Sequence, residues 1–325
     1  MTSKISLSRD ETAALDWIES QAGPMVETLR DWVNINSGSR NAEGLETMRS
    51  RIETAFAPLG GEIRAESLSP TTVVEKNGEV TEQSYTPSFR LIQRPQAPIR
   101  IVLTGHHDTV FPKEDSFQSW QMWDDDRMNG PGGADMKGGL LVMLHALMAL
   151  ERHPDRGRIG YDVLISPDEE IGSLGSGPII HQLGSKADIG MTYEPALADG
   201  SLAGARKGSG NWSLKVSGKA AHAGREHHLG RNAVVAASQF ALRLDDLNGQ
   251  RDGVTFNVAR IDGGGPPNVV PANAVVRFNV RVKDEDDQAW VLENLDRLAN
   301  DTARRDGIAG ELFGGFTRPA KPMTP

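Results

Sequence analysis

The chain of 325 residues contains no cysteine. This absence excludes thiolate catalysis, disulfide bonds and thiolate metal ligands, and it leaves the redox compartment open. Any metal ion must therefore be held by His, Asp and Glu side chains, which are hard or borderline ligands suited to zinc, cobalt or manganese.

Long hydrophobic runs and a basic excess are also absent. The N-terminal segment MTSKISLSRDETAALDW lacks the apolar core of a signal peptide, and no stretch reaches about 18 consecutive apolar residues. We therefore expect no membrane association and a cytoplasmic location. The formal net charge is −9 at pH 7, whereas nucleic-acid binders usually carry a basic face, so no nucleic-acid partner is expected.

The first part of the chain alternates between predicted strands and predicted helices. IVLT before Gly105 and YDVLI at 161–165 are apolar runs typical of buried strands, and GGLLVMLHALMAL at 138–150 predicts an apolar helix. Such alternation predicts an α/β fold with a doubly wound, mostly parallel sheet. We assign residues 1–206 to this metal-binding catalytic domain.

The pattern changes near Arg206, where strand, helix, strand, strand, helix and strand follow in order. That order predicts an inserted ferredoxin-like α+β domain, which we place at 207–317. Residues 318–325 would then begin a return to the first domain.

Four short polar runs each follow or border an apolar segment of the first part. They are GHHDT at 105–109, GGADMKGG at 132–139, DEEIGS at 168–173 and YEP at 193–195. In parallel sheets, ligands bind beyond the carboxyl ends of the strands, where these four polar runs are predicted to lie. Four unrelated surface loops rarely produce such a combination, so we interpret them together as a metal-hydrolase site.

The residue types in the runs support that interpretation, although each run alone has a simpler explanation. His106 can bind a metal while Asp108 fixes its other ring nitrogen, but a polar loop after a strand is equally common. Asp135 between glycines can bridge two metals or merely cap a helix. The adjacent pair Glu169–Glu170 repels itself unless a cation or proton intervenes, so one can be a ligand and the other a general base.

In these motifs, and in GKAAHAG and NVVPANA further along, the chain resembles the co-catalytic zinc exopeptidase and deacylase family. That family includes acetylornithine deacetylase, succinyl-diaminopimelate desuccinylase, aminoacylase and bacterial glutamate carboxypeptidase, and the last branch is the most similar. The resemblance extends from about residue 10 to the end, with the motifs in the family's order.

The resemblance implies two divalent metal ions, zinc or alternatively cobalt or manganese, bridged by Asp135 and a hydroxide. It implies that His106 and Glu194 bind one metal, that Glu170 and a late histidine bind the other, and that the peptide bond after Asp135 is cis. Glu169 would act as general base, and Asp108 would orient His106.

The resemblance also assigns roles in the ferredoxin-like domain, which acts in the family as a lid and a dimerisation module. His222 matches a position that donates a hydrogen bond to the oxyanion, usually from the partner subunit. Asn268 and Arg281 match positions that hold the substrate carboxylate, although Arg281 could also be an ordinary surface cation. Asn279 departs from the family pattern, because an Asp is frequent there.

One expected ligand is missing, because none of the 8 histidines follows His228. The chain would then be a fragment or a shortened homologue with an incomplete metal site. We expect a homodimeric hydrolase that cleaves the amide bond of an N-acyl amino acid or the C-terminal peptide bond of a small peptide. The alternatives are an aminopeptidase or dipeptidase of the same family, or an inactive binding or dimerisation homologue.

Overall fold

The computed structural model describes residues 6–124 and 127–323, and the chain divides into two compact units. Unit 1 comprises Met1–Pro70 and Ser84–Ala196, and unit 2 comprises Thr71–Gln83 and Leu197–Pro325. Two details differ from the boundaries expected above. The change of unit falls at 196/197 rather than at 206/207, and residues 71–83 belong to unit 2.

Unit 1 is built from helices on a mixed sheet. Its helices are α1 Arg9–Ser20, α2 Ala22–Val33, α3 Ala42–Phe56, α4 Gly138–Leu150 and α5 Gly177–Gly184. Its main sheet contains β1 Glu62–Glu66, β4 Ser88–Gln93, β5 Ile99–His106, β8 Ile159–Ser166 and β9 Ile189–Thr192, in the order β1-β4-β8-β5-β9. Two short strands, β6 Gln121–Met122 and β7 Met128–Asn129, pair separately. The α/β class is confirmed; β5 pairs in parallel with β8 and β9, whereas β4 pairs antiparallel with β1 and β8.

Local sequence explains where these helices begin and what they bury. The Ser8 side chain accepts from the Glu11 N–H and Glu11 accepts from the Ser8 N–H, which forms a capping box at the start of α1. Asn41 accepts from the Gly44 N–H and so caps α3. Helix α4 is apolar on nearly all sides because much of its surface is covered, with Leu140, Leu141 and Met143 buried in the core of the unit.

Residues 133–150 have the length and hydropathy of a membrane span by composition alone. Half of that stretch is buried inside the protein, as in the core helix of a folded domain.

Unit 2 has the predicted strand and helix order. It contains β10 Gly208–Ser217, α6 Ala233–Asp245, β11 Thr255–Gly263, β12 Asn273–Val282, α7 Glu285–Ala303 and β13 Ala309–Arg318. The sheet order β11-β12-β10-β13 is antiparallel throughout and is that of a ferredoxin-like fold. Trp212, Leu214, Phe278 and Val280 of the sheet are buried in one cluster with Phe240 of α6 and Val291 of α7.

A hairpin in unit 2 was not predicted from the sequence. Strands β2 Thr71–Val74 and β3 Val80–Gln83 form a two-stranded ribbon. Arg277 of β12 donates from Nη2 to the Val74 carbonyl at 2.6 Å, which attaches this hairpin to the main sheet of unit 2. Its strands are short and mostly polar, so they lack the apolar alternation that would have revealed them.

Candidate metal centre

Three neighbouring parallel strands bring the polar runs to one edge of the unit 1 sheet. His106 ends β5 directly beside Ser166, which ends β8, and Thr192 at the end of β9 pairs with Thr104 of β5. The residues that follow β8 and β9 therefore leave the sheet at the same edge as His106.

Three of the predicted ligands converge at this edge. His106 Nε2 lies 3.0 Å from Asp135 Oδ1 and 3.8 Å from Glu194 Oε2. One donor atom from each of the three residues lies within 4.8 Å of the others. The His106 side chain is 1% exposed, whereas that of Asp135 is 54% exposed, so the group is fixed on one side and open on the other. An imidazole facing two carboxylates is a donor set that fits a divalent cation.

Hydrogen bonding defines the tautomer of the neutral His106 ring, and so which ring nitrogen presents a lone pair to the carboxylates. His106 Nδ1 lies 3.0 Å from the main-chain oxygen of Asp108, and a carbonyl can only accept. In the neutral ring, Nδ1 therefore carries the hydrogen and Nε2 presents its lone pair towards Asp135 and Glu194. Burial lowers the pKa of His106, but hydrogen bonds to Asp108, Asp135 and Glu194 outweigh it and raise the pKa to about 12. The site thus strongly favours a positive charge at Nε2, whether a proton or a metal ion.

Asp108 has a wider role than orienting His106. Its Oδ1 lies 3.3 Å from His106 Nδ1, and its carboxylate also accepts from the main-chain N–H groups of Glu169 and Glu170, each at 3.1 Å. Burial would raise the pKa of Asp108, but the His106 and Ser39 contacts lower it below the usual value. The ionised Asp108 therefore connects the end of β5 to the loop that follows β8.

Glu170 lies near the three converging ligands without joining them. Among the described residues, the group of mutually close donor atoms contains His106, Asp135 and Glu194 and leaves Glu170 outside. Burial raises the pKa of Glu170 to about 7; His106 opposes this shift, whereas the carboxylates of Asp135 and Asp108 add to it. A second cation close to Glu170 would relieve this accumulation of negative charge.

The loop carrying Asp135 is fixed by an unexpected buried lysine. Gly133–Lys137 forms a tight turn before α4, and the Asp135–Met136 peptide bond is cis, as the family resemblance implied. Lys137 Nζ donates to the main-chain oxygens of Trp32 and Ile35 at 3.0 and 2.8 Å. These bonds attach the Asp135 turn to the C-terminal end of α2.

Helix α4 also approaches the segment that carries Glu194. A Cβ atom added at Gly139 would lie 2.0 Å from the main-chain oxygen of Tyr193. Glycine at this position is therefore required for the close approach of α4 to the residue before Glu194.

Two residues of this centre escaped the sequence analysis. Ser39 donates from Oγ to Asp108 Oδ2 at 2.7 Å, although it lies 69 positions upstream and belongs to none of the four polar runs. Lys137 lies within the polar run GGADMKGG. Its position directly before the mostly apolar helix α4 was the one signal in the sequence that it could be buried. Its side chain is 0% exposed, and burial lowers its pKa to about 7.

In unit 2, His222 and Asn268 lie on adjacent segments. His222 pairs with Val269 in an isolated bridge, and the Ala223 N–H donates to the main-chain oxygen of Asn268 at 2.9 Å. His222 Nδ1 accepts from the N–H groups of Gly224 and Arg225 at 3.1 and 3.2 Å. Since those groups only donate, the neutral ring carries its hydrogen on Nε2, which is then a donor.

Arg281 lies on the exposed face of the unit 2 sheet. Its Nε donates to Asn279 Oδ1 at 3.0 Å. The described residues include no carboxylate oxygen within 4.0 Å of this guanidinium. Arg281 is therefore a sheet-surface cation by position and has unused donors.

The fold and the ligand set together define an α/β protein with a metallohydrolase-like centre and a ferredoxin-like second unit. Residues 204–307 match the profile of the peptidase dimerisation domain of the M20 family. The chain is 30% identical over 278 residues to carboxypeptidase G2 of Pseudomonas sp. (strain RS-16), a match that covers 85% of this chain and 64% of that protein. It is 33% identical over 247 residues to succinyl-diaminopimelate desuccinylase of Gluconobacter oxydans (strain 621H), which covers 69% of this chain and 63% of that enzyme.

Solved structures show the same fold. An M20 family metallo-carboxypeptidase from Sulfolobus solfataricus has a TM-score of 0.64 at 18% identity, with 90% of this chain and 77% of that one covered. A dinuclear metal binding peptidase of the M20 family from Bacillus subtilis has a TM-score of 0.53 at 16% identity, with 93% and 76% covered.

The chain is therefore a relative of the M20 metallopeptidases and carries their dimerisation domain, which confirms the family resemblance. It spans less than two thirds of the length of these two curated relatives.

Proposed function

We propose that this protein is a metal-dependent hydrolase that cleaves the amide bond of an N-acyl amino acid or the C-terminal peptide bond of a small peptide. The convergence of His106, Asp135 and Glu194 at the carboxyl edge of the sheet carries this proposal. The names of the relatives, a carboxypeptidase and a desuccinylase, support the substrate class.

The residues of unit 1 fit two divalent ions, with zinc favoured and cobalt or manganese as alternatives. His106, Asp135 and Glu194 would hold one ion, and Asp135 with Glu170 would contribute to the second. Such ions supply Lewis-acid polarisation of the scissile carbonyl. Ser39, Asp108 and Lys137 keep these ligands in place through the hydrogen bonds described above.

Glu169 is the proposed general base. It precedes the ligand Glu170 on the loop that Asp108 anchors through the Glu169 and Glu170 N–H groups. A carboxylate on this loop, beside the ligands but not one of them, can take a proton from the attacking water and pass it to the leaving nitrogen.

Unit 2 supplies the proposed substrate contacts. His222, with its hydrogen on Nε2, would donate to the oxyanion of the tetrahedral intermediate. Arg281 and Asn268 would hold the substrate carboxylate, for which a guanidinium with free donors is well suited.

We also propose a cytoplasmic homodimer formed through unit 2. The dimerisation-domain match covers α6 and β11, and β11 is the edge strand of its sheet. Large apolar side chains are exposed on both elements, with Leu242 67%, Val235 45% and Ile261 44% exposed. An apolar surface beside a free strand edge is typical of a subunit interface.

Replacement of Glu169 by Gln tests the catalytic assignment. We expect turnover of N-acyl amino acids to fall by at least about a hundredfold, because the general base is lost, while metal content stays unchanged. Turnover and metal content are measured on the same samples. Glu79→Gln, at an exposed position of the β2–β3 turn, is the matched control. Lost metal with retained activity would contradict the assignment, and cleavage of free-amine peptides alone would favour an aminopeptidase.

A further inference from the structure

We propose that Asn279 is a positioning residue that holds the Arg281 guanidinium by its Nε while leaving its charge and its outer donors free for a substrate carboxylate. The proposal rests on the proposed function for its substrate class, but the arrangement itself lies wholly within unit 2.

The strand pattern brings the relevant side chains to one face of the sheet. In β12, Arg277, Asn279 and Arg281 alternate with buried apolar residues such as Phe278 and Val280. These three polar residues therefore lie on the face opposite the core. Across the neighbouring strands, Asn279 pairs with Asn211 of β10 and with Asn257 of β11.

The amide of Asn279 has one orientation that satisfies all its neighbours. Its Nδ2 donates to the Gly210 carbonyl at 2.9 Å, to Asn211 Oδ1 at 2.8 Å and at the longer distance of 3.3 Å to Ser209 Oγ. Its Oδ1 accepts from Arg281 Nε at 3.0 Å. The reversed amide would set its NH2 group against the Arg281 N–H and its oxygen against a carbonyl. Asn279 is consequently a fixed acceptor for Arg281.

Arg277, on the same face, is an arginine whose guanidinium is fully engaged in contacts within the fold. Its guanidinium reaches Asp262 Oδ2 at 3.3 Å, Ser213 Oγ at 3.1 Å and the Val74 carbonyl at 2.6 Å. The guanidinium of Arg281 instead has the neutral Asn279 as its one hydrogen-bond partner in the part of the chain that the structure describes. Its positive charge is not compensated there, and its Nη groups remain free to bind an anion.

The lack of charge on Asn279 also matters for Arg281. An Asp, which is frequent at this position in the family, could also accept from Nε. Its second oxygen would face the Gly210 carbonyl and Asn211 Oδ1, and it would add a negative charge beside the guanidinium. That charge would compete with a substrate carboxylate for the same cation. Asn279 therefore accepts a hydrogen bond from Arg281 Nε and fixes the guanidinium, but as a neutral group it does not weaken the attraction of Arg281 for an anionic substrate group.

Steady-state kinetics of Asn279→Ala, Asn279→Asp and Arg281→Ala test this coupling. We expect Asn279→Ala to raise KM for an N-acyl amino acid roughly tenfold, the value of about one charge-assisted hydrogen bond. Asn279→Asp should also raise KM, because its charge competes with the substrate carboxylate. In both variants kcat should change by less than about twofold. In the Arg281→Ala background, Asn279→Ala should have no further effect, because it acts through Arg281. Additive effects on KM would overturn the proposal. Asn77→Asp makes the same charge change at an exposed position of the β2–β3 turn, beside Asn273 at the other end of β12 from Arg281, and should leave KM unchanged.

A measurement without turnover separates this proposal from the proposed function. The Arg281 Nε–H resonance of the 15N-arginine-labelled chain, assigned with Arg281→Lys, should be protected from exchange and should lose protection in Asn279→Ala. N-acetylglycine should shift it, and N-acetylglycinamide should not. These results in a chain without hydrolase activity would reject the proposed function and retain the role of Asn279. An unprotected resonance, or equal shifts with both probes, would reject the role of Asn279 whatever the activity.

Discussion

The chemistry of His106 depends on residues that are distant in sequence. Its ring is oriented by the Asp108 main-chain oxygen, and its Nε2 faces Asp135 in the turn before α4 and Glu194 in the segment after β9. Sequence motifs predicted these residues because each follows or borders an apolar segment. Ser39 could not be predicted, because its contact with Asp108 depends on how the segment after α2 packs against the end of β5.

Asp108→Asn tests whether Asp108 connects the end of β5 to the loop that follows β8. An amide NH2 group would face at least one of the N–H donors of Glu169 and Glu170 and would not attract His106 electrostatically. We expect metal affinity to fall by about 10- to 100-fold, as for other residues that orient metal ligands. Competition with a chromophoric chelator measures this change. Ser39→Ala, which removes one neutral donor, should have a smaller effect; an unchanged affinity in Asp108→Asn would refute this role.

Among the helices and strands, apolar periodicity and strand order were sufficient to predict the ferredoxin-like unit and the strands that end at the candidate metal centre. The β2–β3 hairpin was missed because its stability comes from the Arg277 contact and from packing on the unit 2 sheet rather than from its own sequence pattern. The close packing of α4 against Tyr193 could not be predicted either, because the sequence does not distinguish Gly139 from the other glycines of the preceding turn.

Helix α7 offers a pH-dependent test of element stability. Burial would raise the pKa of Asp287, but the Lys283 N–H bond at 3.0 Å and the Arg251 guanidinium lower it below its ordinary value. The ionised carboxylate therefore stabilises the fold above the unfolded pKa of about 3.9, and this contribution is lost as the pH falls through the lowered folded pKa.

We expect Asp287→Asn to reduce the free energy of unfolding by about 2 kcal/mol at pH 7, because the bonds it loses involve charged groups. The difference should shrink when urea unfolding is repeated near pH 3, where the carboxylate of the unfolded chain becomes protonated. Asp286→Asn, at an exposed position in the same helical turn, should be nearly neutral at both values. A loss that is independent of pH would mean that Asp287 acts by packing rather than by charge.

For the whole molecule, the sequence indicated two domains and predicted a dimer that forms through the ferredoxin-like domain. The exposed apolar residues of α6 and β11 form the surface on which the dimer proposal depends, and a groove of about 420 Å³ between these elements includes Leu242, Phe256 and Ile261. Sequence periodicity could not identify this surface, because a residue such as Leu242 fits the apolar pattern of a core position.

Leu242→Glu should convert the proposed dimer to a monomer in sedimentation-velocity experiments. The side chain is 67% exposed in the single chain, so a charge there leaves folding intact but cannot be buried in an apolar interface. Leu292→Glu, at a 42% exposed leucine on α7, serves as the matched control and should remain dimeric. An unchanged dimer in Leu242→Glu would place the interface elsewhere.

Zinc titration tests whether the residues of unit 1 hold a metal ion. Isothermal titration of Zn²⁺ into the chelator-treated chain should show tight binding that weakens at least tenfold, roughly, when His106 is replaced by Ala. Equal binding by both proteins, or no binding by the unaltered chain, would mean that unit 1 does not bind zinc through His106.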